Sequence, residues 1–114
     1  MHEKRKLNRR HLIYYLRVFD RNTNILIGHL VDITAEGIML ISEDPIDTYT
    51  IFQLKMDLPQ RMENKEQLHF DAKSLWHKKD VNPNFYNTGF QFLKVSRDHF
   101  VVIEQLLDDF GFRD

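Results

Sequence analysis

Hydrophobic positions along the chain repeat at two spacings, and the change from one to the other divides it. Residues 12–19, LIYYLRVF, form a run of aromatic and branched side chains that predicts a strand. Asp20-Arg21-Asn22-Thr23-Asn24 has the composition of a turn, and 25–31, ILIGHLV, reads as the returning strand of a hairpin. A polar connection, Asp32 to Gly37, leads to a short strand over 38–42, which Glu43 to Asp47 ends with Pro45. Residues 50–57 alternate, with Thr50, Phe52, Leu54 and Met56 opposite Gln53, Lys55 and Asp57. Pro59 to Lys65 predicts a loop. Residues 66–78 alternate again, placing Leu68, Phe70, Ala72 and Trp76 on one face, and 85–94 places Tyr86, Phe90 and Phe92 together. Lys79 to Asn84, with Pro83, separates these last two strands.

Beyond Val95 the period lengthens. Phe100, Ile103, Leu107 and Phe110 recur at helical spacing, with Ser96 as N-cap and Gly111 as the stop. About six short antiparallel strands followed by one amphipathic helix predict a mainly β fold. A six-stranded barrel leaves no free sheet edge, and the helix is expected to cover one mouth with its apolar stripe. The expected organisation is a basic arm over residues 1–11 and a single barrel domain over 12–114.

At 114 residues the chain has room for one core. It has no cysteine, which excludes disulfides, thiolate metal sites and thiol nucleophiles. No apolar run approaches the roughly 20 residues that cross a membrane. The N-terminal MHEKRKLNRR has no signal-peptide character, so a cytoplasmic location without membrane insertion is expected.

The net charge of −1 conceals a strong asymmetry. Residues 1–21 carry seven basic and two acidic side chains, a net of +5, so the remainder sums to −6. A basic arm on an acidic body favours a small anionic partner. A nucleic-acid polymer, which calls for positive charge across the whole domain, is disfavoured.

Little in the sequence supports catalysis. The six histidines form no i, i+4 helical pair. His69, Asp71 and His77 share a strand face, but the two histidines are about 26 Å apart in an extended strand, so a solvated face accounts for them. Phosphate-loop, zinc-protease and nucleophile-elbow motifs are absent. The chain is therefore expected to be neither an enzyme nor the holder of a metal or cofactor.

Two clusters remain. Arg5 and Arg9 stand in an R-x-x-x-R spacing, with Lys4 before and Arg10 after. Asp32, Thr34 and Gly37 form D-x-T-x-x-G between two strands. Each has a bland reading, as a solvated tail and as a turn with glycine at positive φ. Together they suit a guanine and phosphate reader. A guanidinium pairs bidentately with guanine O6 and N7 or with phosphate, and stacks on a base. Asp32 accepts from guanine nitrogens, the Thr34 hydroxyl donates to phosphate or accepts from a base, and Gly37 permits close backbone approach.

In these residues the sequence resembles the PilZ domain family, which joins R-x-x-x-R ahead of the first strand to [D/N]-x-S-x-x-G between later strands. Leu16 and Val18 sit as in the family's first strand. AKSLWHKKD followed by NTGFQFLKVS resembles its late strand pair, with Trp76 and Gly89 in corresponding places. The likeness covers nearly the whole chain in order.

It implies a bacterial six-stranded barrel that binds the second messenger cyclic di-GMP. Arg5 and Arg9 would grip guanines and phosphates, above Asp32, Thr34 and Gly37. Binding would fold the arm onto the barrel and create a surface for a downstream protein partner. Thr34 replaces the usual Ser, keeping the hydroxyl and adding a methyl. Lys4, before the first Arg, would help neutralise a second stacked ligand. Arg10 is either a third phosphate contact or a solvated neighbour. The alternation of 66–78 assigns Trp76 to the core, the alternative being a base-stacking platform. His77, Lys78 and Lys79 read as a solvated strand end. The competing function is a PilZ-like protein-interaction module that binds no nucleotide.

Overall fold

The structure, a computed structural model, describes residues 16–109. Its elements are β1 (Arg17–Asp20), β2 (Leu26–Ile33), β3 (Gly37–Ser42), β4 (Ile51–Met62), β5 (Lys65–Lys79), β6 (Tyr86–Leu93) and α1 (Arg97–Asp109). The six strands close into a barrel in the order β1-β2-β3-β6-β5-β4, every neighbouring pair antiparallel. Among the described residues this is the six-stranded barrel with one C-terminal helix that the alternation predicts.

The turns follow from local chemistry. Asp20 ends β1, and its carboxylate accepts from the backbone N–H groups of Asn22 (2.8 Å) and Thr23 (3.0 Å). That side-chain turn, with Asn24 at φ 64°, reverses the chain into β2. Between β4 and β5 the connection shrinks to Glu63-Asn64, both at positive φ, the backbone that suits a tight hairpin. The expected loop over 59–65 is therefore mostly strand. Pro59 lies where the β4–β5 register shifts, between Asp57 and Met62, and the missing N–H disturbs no regular ladder there.

Alternating positions fill the interior. Val18, Leu30, Leu40, Leu54, Met56 and Ala72 are wholly buried, and Phe70, Phe90 and Phe92 nearly so. Helix α1 adds Val102, Ile103, Leu106 and Leu107 to the same core. The Ser96 hydroxyl accepts from His99 N–H at 3.1 Å, the N-cap expected from sequence.

The inward face of α1 differs from the expected stripe. His99 is buried, while Phe100 is 47% exposed, and Phe110 lies outside the described residues. The His99 ring stands edge-on to Phe92, with centroids 4.5 Å apart, and near Phe70 at 5.9 Å. Burial holds its pKa below the ordinary value near 6.5. Among the described residues, no helix is long and apolar enough to cross a membrane.

Candidate functional site

The polar stretch between β2 and β3 becomes three linking residues, Thr34 to Glu36, between Ile33 at the end of β2 and Gly37 at the start of β3, with Asp32 next to last in β2. The bend is built by one side chain. Thr34 Oγ1 accepts from the backbone N–H of Glu36 (3.1 Å) and of Gly37 (3.2 Å), while Thr34 N–H donates to the Gly37 carbonyl at 2.9 Å. The hydroxyl oxygen is thus occupied by the turn, which leaves its proton to be donated outward. Thr34 is exposed, as are Ala35 and Glu36.

Asp32 is also exposed, and one of its carboxylate oxygens accepts from Ile33 N–H at 2.9 Å. That contact orients the carboxylate, and its second oxygen meets no partner among the described residues.

Gly37 is required for a reason the motif does not display. Its backbone is outside the left-handed region, so the positive-φ reading of this glycine is corrected. A Cβ there would stand 2.0 Å from the Phe90 carbonyl oxygen on β6. The glycine lets β3 and β6 close together beside the bend, and so fixes the bend's position on the barrel.

Trp76 departs most from its expected place. It is 41% exposed instead of packed with Phe70 and Ala72. The β5–β6 register shifts between Ser74 and Trp76. Leu75 is the extra residue, so the alternation that buries Ala72 and Ser74 turns over, and the indole emerges on the outer surface. It lies across Gly89, where a Cβ would come within 2.5 Å of the indole Nε1 and Cε2. Lys78 Nζ stands 5.9 Å from the ring centroid. His77, read as part of a solvated strand end, is exposed but donates from Nδ1 to the Ile46 carbonyl at 2.9 Å.

Asp32, Thr34, Gly37 and Trp76 share one surface depression of about 450 Å³, which Glu36 and Gln91 also line. Four of the residues singled out from sequence are thus brought together. Lys4, Arg5, Arg9 and Arg10 lie outside the described residues. Glu36 fills a position that the motif leaves unspecified, and Gln91 becomes visible only when β3 and β6 are paired. The described lining carries two carboxylates, so an anionic ligand here needs cations from elsewhere.

The Leu16 carbonyl accepts from Leu30 N–H at 2.8 Å, and Arg17 pairs with His29. Strand β1 therefore begins beside the late half of β2, at the end of the barrel that carries the bend.

Comparison with known proteins agrees with this architecture. No curated protein sequence matches the chain. The PilZ domain of Escherichia coli YcgR, solved with c-di-GMP, superposes with a TM-score of 0.64 at 17% identity, over 84% of this chain and 80% of that one. The K. pneumonia MrkH–c-di-GMP complex gives 0.69 at 15% identity, over 89% of this chain and 48% of MrkH. Bacillus subtilis MotI/DgrA, an inhibitor of motility, gives 0.64 at 17% identity, over 79% of this chain and 43% of that one. The chain thus spans less than half the length of MrkH and of MotI. At these identities the likeness establishes the fold. The family model for the PilZ domain matches residues 3–109. The chain belongs to the PilZ domain family, whose domains are non-catalytic.

Proposed function

We propose that this protein is a cytoplasmic cyclic di-GMP receptor that binds the dinucleotide in the Asp32–Trp76 depression and passes the signal to a protein partner. The observation that carries the reading is the convergence of an exposed hydroxyl-built bend and an exposed indole on one hollow. Relatives in the same fold, the YcgR PilZ domain and MrkH, are solved with c-di-GMP.

Each group has a chemical task. The Thr34 hydroxyl donates its free proton to a phosphate oxygen. The open oxygen of Asp32 accepts from the guanine imino and amino groups, which phosphate cannot supply. Trp76 offers an apolar plane for a base to stack on. Arg5 and Arg9 provide the cations that the described lining lacks and pair bidentately with guanine or phosphate. Arg10 adds positive charge beside them, and Lys4 offsets the charge of a second, stacked ligand. The 1–11 arm folds onto the barrel when ligand arrives. Ordering those residues opposes binding, so the net affinity depends on charge contacts that salt screens.

Calorimetric titration with cyclic di-GMP tests this directly and gives affinity and stoichiometry together. Heat at micromolar ligand, two ligands per chain and weakening with salt are expected. Folded protein that evolves no heat at tens of micromolar ligand would refute it and favour a nucleotide-independent interaction module.

A further inference from the structure

At the opposite end of the barrel, a second depression of about 540 Å³ opens between the start of β2 and the loop after β3. Ile25, Leu26 and Phe52 line one side, and Glu43, Asp44 and Asp47 the other. Ile25 is 62% exposed and Leu26 45%. A cluster of aliphatic side chains bordered by charge is the composition of a binding surface.

The acidic loop is held in place without using its carboxylates. Ser42 Oγ donates to the Asp44 carbonyl at 2.7 Å, and Ser74 Oγ to the Asp47 carbonyl at 2.6 Å. His77 Nδ1 donates to the Ile46 carbonyl, and the Ile46 side chain is buried in the core. The carboxylates of Glu43, Asp44 and Asp47 meet no hydrogen-bond or ion-pair partner among the described residues. Three unpaired like charges within five residues are fixed beside an exposed aliphatic floor.

We infer that this groove docks a segment of another protein that presents aliphatic side chains flanked by lysine or arginine. Aliphatic groups fill the floor, and the flanking cations meet the three carboxylates, so both halves of the surface are complemented by one segment. A second copy meeting this face symmetrically would set the same carboxylates against each other. The inference does not depend on the nucleotide reading. Leu26 and Asp32 lie near opposite ends of β2, so both sites are free to be filled at once.

The test titrates the whole chain with a short amphipathic peptide of lysine and leucine, and with its glutamate-and-leucine counterpart, by fluorescence anisotropy. The lysine peptide is expected to bind and to weaken with salt, and the glutamate peptide to fail. Asp44→Lys and Leu26→Ser should each weaken binding roughly tenfold. Asp109→Lys, which makes the same charge change on α1, should leave it intact. A cyclic di-GMP titration of Asp44→Lys should match the parent, which separates failure here from failure of the nucleotide reading. Unchanged peptide affinity in both groove variants overturns the proposal. So does equal binding of the two peptides, or self-association that Leu26→Ser abolishes.

Discussion

The indole of Trp76 rests on Gly89, its partner across the β5–β6 ladder, at a distance that leaves no room for a methyl group. The contact sets the height and tilt of the one aromatic plane in the lining of the candidate site other than Phe90, which is buried.

Gly89→Ala is therefore expected to lift the indole and weaken cyclic di-GMP binding, while the barrel stays folded. Trp76→Ala should cost about 1–3 kcal/mol of binding, the usual worth of an aromatic surface under a base. Trp76 is the only tryptophan, so its fluorescence reports both occupancy in the parent and displacement in Gly89→Ala. Parental affinity in both variants would remove the indole from the site.

Thr34 allows the turn and the ligand to be separated. Thr34→Ser keeps the hydroxyl and should keep both stability and binding. Thr34→Val deletes the acceptor for two backbone N–H groups. It is expected to lower stability by about 0.5–2 kcal/mol, as for loss of a hydroxyl cap. Cyclic di-GMP affinity should fall with it. Chemical denaturation and calorimetry measure the two effects.

Arg5→Ala and Arg9→Ala are each expected to weaken cyclic di-GMP binding by about 1–3 kcal/mol. Both should flatten the dependence of affinity on salt, because each removes a cation that the ligand meets. Unchanged affinity in both, measured by calorimetry across a salt series, would place the site elsewhere.

His99 makes stability depend on pH. Its folded-state pKa is lowered, with burial the cause, and the unfolded value lies near 6.5. Below that pH the unfolded chain takes up a proton that the folded chain resists, so stability falls as pH drops from about 6.5 toward the folded value. His99→Leu fills the same apolar position without the titration. In denaturation measured from pH 7.5 to 5, the parent should lose stability relative to the variant as the pH falls. A constant gap would exclude His99 as the source.

Much of the barrel is legible in the alternation of residues 50–57 and 66–73, because one face of each strand meets the core and the other meets water. What the sequence conceals is where that alternation is interrupted. Leu75 is an ordinary strand residue by composition, and only the pairing with β6 makes it the extra one that turns Trp76 outward. Pro59 reads as a breaker, since nothing local reveals the irregular register that accommodates it. On α1, Phe100 is the more hydrophobic side chain, yet His99 lies on the face that the barrel covers. The candidate site divides in the same way. Asp32, Thr34 and Gly37 belong to one short motif that carries Glu36 at an unspecified position, whereas Gln91 joins them through the approach of β6, a long-range event. Gly37 is legible as a point of close backbone approach, and the group crowding it in the fold is the Phe90 carbonyl on β6, with no left-handed turn there.

The sheet is fastened by its smallest member. Strand β1 has four residues and joins β2 and β4 through three paired positions each, whereas β4 and β5 run for 12 and 15 residues. If that stave is pulled away, β2 and β4 become two bare, adhesive borders where a closed wall had none. Trimming or fusing the chain close to Leu16 therefore threatens colloidal behaviour together with the part of the core that Leu16 and Val18 fill, and the first sign would be clumping of molecules that still retain most of their β structure.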